Sequence, residues 1–286
     1  MLKESFAALG ASARDLLRNW GGLLFVAVLY LLLLLSVYYF FAVGVANTWQ
    51  LFVTALTAAA APLLFFLFQS ASANAALPES TAGRVLRRAP RDFPKVLLLS
   101  VPVALFAALF VYLLYKLQGW LPAVAEPPRV ASVGGVAGER PVPLHWQDAL
   151  QSSLWLLLLG VLLPLAAAHL WLSAARAGLK PTLKGLHRVV GRAFLPRSVF
   201  VYAVGLFLFG LMPYFVLFTR TSFTTGWAEL LLFGLRLALA FGLTLFGWLV
   251  TLGALSRVTP PETGAPVVSE SAPAEPAPAP EPQLQA

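Results

Sequence analysis

The chain has 286 residues, of which 59% are hydrophobic and 11% are charged, against about 25% charged in an average soluble domain. A water-soluble globule of that composition would leave apolar surface exposed, so the class is integral membrane protein. There is no Cys, which excludes a disulfide-stapled secreted domain and any cysteine-ligated zinc or iron–sulfur site. The net charge of +8 does not point to nucleic acid, because the basic residues sit at the edges of apolar runs.

The first predicted element, residues 1–22, is an interfacial helix with Leu2, Phe6, Leu9, Ala13, Leu16 and Trp20 on one face. A membrane domain over 23–257 follows, with spans at 23–45, 49–69, 95–117, 150–172, 198–218 and 230–252. Each holds about 20 residues, enough to cross about 30 Å of hydrocarbon at about 1.5 Å per residue. Period-2 alternation is missing, which favours helices over a barrel. The first run exceeds a signal-peptide core of about 7–15 residues, and it is expected to stay as an anchor. The expected fold class is all-α, a polytopic six-helix transmembrane bundle with interfacial amphipathic helices.

Two basic connectors read as amphipathic helices. In 82–93, Ala82, Val85, Leu86, Ala89 and Phe93 oppose Arg84, Arg87, Arg88 and Arg91, and Pro90 is expected to end or kink the helix. From Pro181 onward, Leu183, Leu186, Val190 and Phe194 oppose Lys184, Arg188 and Arg192. These segments either satisfy the positive-inside charge and cap the bundle, or bind anionic lipid headgroups. Fifteen of the 20 Lys and Arg residues fall before span one, in these connectors or after span six, and four fall on the opposite side. The positive-inside rule therefore puts both termini in the cytoplasm. The 118–147 loop is then external, and the Pro/Ala/Glu-rich tail 258–286 is expected to be disordered.

Sliding the chain by 102 residues aligns Pro62-Leu63 with Pro164-Leu165, Gly83 with Gly185 and Pro94 with Pro196. Spans two and three would then repeat as spans four and five, unless the match is a coincidence of Leu/Ala-rich composition. Pro62, Pro102, Pro164 and Pro213 each free a backbone carbonyl within a span.

Ionisable residues within or beside the spans are few: Arg236, His169, Lys116 and Glu229. No Asp or Glu lies inside a predicted span and no His pair has metal spacing, so no cofactor or catalytic constellation is expected. His169, near the cytoplasmic end of span four, reads as a structural hydrogen-bonding residue. Glu229 and Arg236 share a face of span six, and Arg236 leans toward the helix N-terminus, which predicts an ion pair between them. Gln50, Thr54, Thr57 and Gln69 of span two and Thr244 and Thr251 of span six are expected to line a polar cavity, or else to serve as helix-packing residues. Gly234, Ala238 and Gly242 form a small-residue face suited to close helix contact.

The N-terminal helix around Phe6 to Trp20, followed by paired spans joined through the basic segments Gly83 to Pro94 and Gly185 to Pro196, resembles in layout the membrane domain attached to some bacterial glycerophosphodiester phosphodiesterases and related multi-span families. The resemblance covers residues 1 to about 257. It implies an α-helical membrane domain; no phosphodiesterase region lies in these residues, so it carries over no catalytic residue. The expected role is a non-enzymatic lipid-associated or scaffold component of the bacterial cytoplasmic membrane, with anionic lipid headgroups as partners and no nucleic acid. The alternative is a small-solute transporter or channel-like protein with spans two and six lining the route.

Overall fold

The structure, a computed structural model, describes residues 2–78, 80–120, 146–219 and 226–259. Among them there is no strand, and six helices are long and apolar enough to cross a membrane. The protein is an all-α polytopic bundle. In chain order it comprises α1 (Leu2–Arg18), α2 (Trp20–Ala42), α3 (Thr48–Ala75), α4 (Ala82–Trp120), α5 (Trp146–Trp155), α6 (Leu163–Ala177), α7 (Leu179–Lys184), α8 (Leu186–Ala193), α9 (Pro196–Leu206), α10 (Met212–Phe218) and α11 (Gly226–Val258). A π-helical segment, Leu156–Leu162, joins α5 to α6, and a second, Phe207–Leu211, joins α9 to α10. Of the expected 118–147 loop, residues 118–120 continue α4 and 146–147 begin α5, while 121–145 lie outside the described residues; of the expected tail 258–286, Val258 ends α11 and residues from 260 onward lie outside them.

The N-terminal helix is docked more firmly than an interfacial helix need be. Its buried stripe is Ser5, Leu9, Ser12 and Leu16, while Leu2, Phe6 and Trp20 of the expected face are exposed. Serines in that seam let α1 approach α11 closely, so that Ser12 Oγ donates to the Val250 carbonyl at 3.0 Å and a Cβ on Gly253 would overlap it. Glu4–Arg197 and Asp15–Arg257 ion pairs flank the seam, and Phe6 meets Phe200 edge-on. The helix breaks at Asn19 rather than after residue 22, because the Asn19 side chain accepts from Gly22 N and caps α2. The same side chain donates to the Ser80 carbonyl at 2.9 Å, tying the start of α2 to the α3–α4 connector.

Pro90 does not end a helix. The first basic connector and span three form one helix, α4, with Pro90, Pro94 and Pro102 inside it. Its buried seam runs Val85, Ala89, Asp92, Val96 and Leu99, while Pro90 and Pro94 are exposed. Alternating steps of four and three keep the seam on one face through the prolines, and Leu86, expected on the apolar face, points outward. The second connector behaves differently. Gly178, at φ +85°, closes α6, and α7 and α8 are short pieces meeting at Gly185. The apolar face is shifted here too, with Thr182, Val189 and Ala193 buried while Leu183 and Phe194 are exposed. The two units of the expected repeat therefore differ. α3 packs along α4, whereas α9 packs on α11 and α1, and π-helical segments occur in spans four and five but not in α3 or α4.

Those π segments lie just before Pro164 and Pro213. Their last bonds skip five residues, Leu163 N–H to the Leu158 carbonyl and Met212 N–H to the Phe207 carbonyl, which accommodates a turn interrupted by proline. Most buried side chains gather toward the end of the bundle that carries α1, α7, α8, the start of α4 and the end of α11. This is the basic end.

Candidate anion pocket at the basic end

Each predicted site residue finds a definite place. Gln50 accepts from Ala46 N–H and receives no bond from span six; Thr54 donates to the Gly44 carbonyl at 2.7 Å, and Thr57 donates within its own helix. With Ser36 Oγ donating to the Thr57 carbonyl, these groups close the α2–α3 hairpin instead of facing α11. Gln69, buried, accepts from Trp248 Nε1 at 3.1 Å and so links α3 to α11. Gln69 and Thr244 share the wall of a cavity of about 260 Å³ whose other walls are aromatic and aliphatic, among them Tyr30, Phe68, Trp171 and Phe209. Thr251 donates to the Gly247 carbonyl and fills the space beside Gly205, where a Cβ would overlap it. It is a helix contact, not a cavity wall. Gly234, Ala238 and Gly242 are exposed, and a Cβ on either glycine would meet nothing within 4 Å. The close contacts of α11 are made by Gly247 and Gly253 instead.

Arg236 does not pair with Glu229. Its Nη1 donates to the Thr219 carbonyl at 2.6 Å, and among the described residues no ion pair joins the two. α10 ends at Phe218, and the unsatisfied carbonyls at a helix C-terminus attract a cation. The side chain reaches that rim before it reaches its own helix's carboxylate. His169 is buried, with Nδ1 at 3.0 Å from the Leu165 carbonyl and Nε2 at 3.4 Å from Thr259 Oγ1. That is a structural role.

Of the basic stripes, Arg84, Arg87, Arg88, Arg91, Lys184 and Arg188 are exposed, and Arg192 is half-buried. They do not form one site. Arg84 and Arg88, one turn apart on α4, line a cavity of about 280 Å³ with Asn74, Leu77, Ser80 and Arg176. The other five cations, Arg87, Arg91, Lys184, Arg188 and Arg192, do not line it. Arg176 was missed by sequence reasoning. It stands in the last turn of α6, where a cation suits the helix dipole, and its two terminal nitrogens donate to the Ser256 and Thr259 carbonyls. Those bonds fix the guanidinium without neutralising it.

A buried polar cluster backs this cavity. Asp92, outside every predicted span yet buried, receives Asn74 Nδ2 at 3.2 Å and Lys95 Nζ at 2.5 Å. Asn74 Nδ2 also donates to the Ser70 carbonyl at 3.0 Å, and Ser70 Oγ donates to the Ala89 carbonyl at 2.8 Å. On the far side of Leu77 and Ser80 lies a second cavity, about 480 Å³, bordered by Asp15, Arg18, Asn19 and Arg257. The only sequence signal for the cluster is the polar run Gln69-Ser70-Ala71-Ser72-Ala73-Asn74 closing span two. Guanidinium and amide donors around a small opening can hold an oxyanion. Among the described residues no group of three His, Asp or Glu could hold a metal ion.

The chain matches no family model, no curated protein and no solved structure, so the likeness to phosphodiesterase membrane domains remains one of layout.

Proposed function

We propose that this integral membrane protein is a non-enzymatic, lipid-associated or scaffold component of the bacterial cytoplasmic membrane, with both termini cytoplasmic and its basic end seated on anionic headgroups. The observation that carries this reading is the Arg84–Arg88–Arg176 cavity, opening among exposed cations at the end of the bundle where fifteen of the 20 Lys and Arg residues gather. Cations near an anionic leaflet contribute about 1 kcal/mol each. The transport reading has weaker support, because half of its expected lining is bonded within the α2–α3 hairpin.

Replacing Arg84, Arg87, Arg88 and Arg91 together by Gln tests the proposal. Retention of phosphatidylglycerol by the purified protein in nanodiscs should fall by at least tenfold relative to phosphatidylcholine. Unchanged selectivity would reject the lipid role of this face.

A further inference from the structure

The two π-helical segments converge on one place. Phe209, inside Phe207–Leu211, and Pro164, just after Leu156–Leu162, both line the cavity of about 260 Å³ that Gln69 and Thr244 share. π-Helical turns inside α-helices occur frequently at functional sites. The rest of the wall includes Tyr30, Phe65, Phe68, Trp171 and Trp248, and no charged residue. Polar groups in it are bonded away from the space: Trp248 Nε1 donates to Gln69 Oε1, Trp171 Nε1 to Ser100 Oγ, and Thr244 Oγ1 to the Ala240 carbonyl. The surface left facing the cavity is carbon. A water in a buried space needs about two to four polar partners, whereas an apolar cavity of about 150 Å³ stays dry and takes up hydrocarbon.

The cavity lies midway along the spans, with Tyr30 near the centre of α2 and Thr244 near that of α11. A step of seven residues returns to within about 20° of the same helix face. Taken toward the basic end, that step leads from Phe65, Thr244 and Leu245 to Ser72, Thr251 and Leu252, all buried. Taken the other way, it leads from Tyr30, Phe65 and Trp248 to Val37, Ala58 and Phe241, all exposed, and a second step from Phe241 reaches Gly234, exposed as well. The cavity is therefore the floor of a groove closed toward the basic end and uncovered toward the opposite one. At this depth the surroundings of the bundle are hydrocarbon. A partner helix, about 10–12 Å across with its side chains, displaces more in a single turn than the cavity holds.

We propose that this cavity seats the end of one hydrocarbon chain of a membrane lipid, lowered along the groove from the leaflet opposite the basic end. The site does not rest on the headgroup reading above, since it lies at the middle of the spans and carries no charge.

The test uses the full-length protein in nanodiscs of phosphatidylcholine with no anionic lipid, so that failure of headgroup binding leaves it unaffected. A trace of phosphatidylcholine carries a photoactivated diazirine either at the end of one acyl chain or beside its ester, and adducts are located by mass spectrometry. The chain-end probe should label Tyr30, Phe209 and Leu245 about fivefold more than Leu105, a preference of about 1 kcal/mol. Leu105 is the reference because it is exposed midway along the third span. The ester-side probe should leave the cavity wall unlabelled. Leu245→Trp, which fills the cavity, should remove the excess while Leu105 is labelled as before, and the two probes on the unmodified protein decide the matter if this variant fails to fold. A wall labelled no more than Leu105 by the chain-end probe would overturn the proposal, as would equal labelling of the wall by both probes. An excess that persists in Leu245→Trp would place the chain on the outside of the bundle and overturn it likewise.

Discussion

Pro164 has no N–H to give to the Gly160 carbonyl one turn earlier. Tyr202, buried on α9, supplies the missing donor, its hydroxyl lying 2.9 Å from that carbonyl. In hydrocarbon an interhelical bond of this kind stabilises by about 0.6–1.7 kcal/mol. Tyr202→Phe should therefore lower unfolding stability in detergent by about 1 kcal/mol. In a Pro164→Ala background, where the alanine N–H can take the carbonyl, the same change should cost close to nothing. Equal costs in the two backgrounds would show that the hydroxyl contributes through packing alone. Nothing in the local sequence links these residues, because the proline's need is visible and the identity of its partner is a fact of tertiary structure. Arg236 teaches the same point: its charge marks a residue that needs a partner, but the Thr219 carbonyl that answers it becomes available only where α10 ends.

At the scale of elements, the apolar faces of the helices were harder to read than their existence. Hydropathy placed all six spans, because that signal sums over about 20 residues. The packed faces of α1 and α4 instead depend on small or polar residues, Ser5 and Ser12 in one and Asp92 in the other. A hydrophobic stripe omits such residues, so the predicted face was rotated toward Phe6 and Leu86, which are exposed. Close approach decides the matter where Gly253 of α11 meets Ser12 of α1. A side chain at Gly253 must displace α1, and overpacking of this sort typically costs about 1–3 kcal/mol. Gly253→Val should release α1, seen as faster amide hydrogen exchange over residues 2–18, while Ser12→Gly in the same chain should restore part of the protection. Unchanged exchange in Gly253→Val would mean that the Asp15–Arg257 and Glu4–Arg197 pairs, not the seam, hold the helix.

For the whole molecule, charge and packing coincide. The buried polar residues Ser12, Ser70, Asn74, Asp92 and Ser256 and the Arg176 guanidinium all lie at the end of the bundle that also carries the exposed cations. The charge asymmetry was legible because it is a count along the chain; the polar core beneath it was not, since Ser and Asn near span ends look like ordinary helix-packing residues. If the positive-inside rule governs insertion, that end faces the cytoplasm. The chain contains no Cys, so single cysteines report without background. Gly83 and Gly191 are exposed with open space around a Cβ, and Val45 is exposed in the turn between α2 and α3 at the other end. In intact cells a membrane-impermeant maleimide should modify Val45→Cys and leave Gly83→Cys and Gly191→Cys untouched until the membrane is opened. The reverse pattern would invert the protein and place its anion pocket outside, where a cytoplasmic-leaflet headgroup could not reach it.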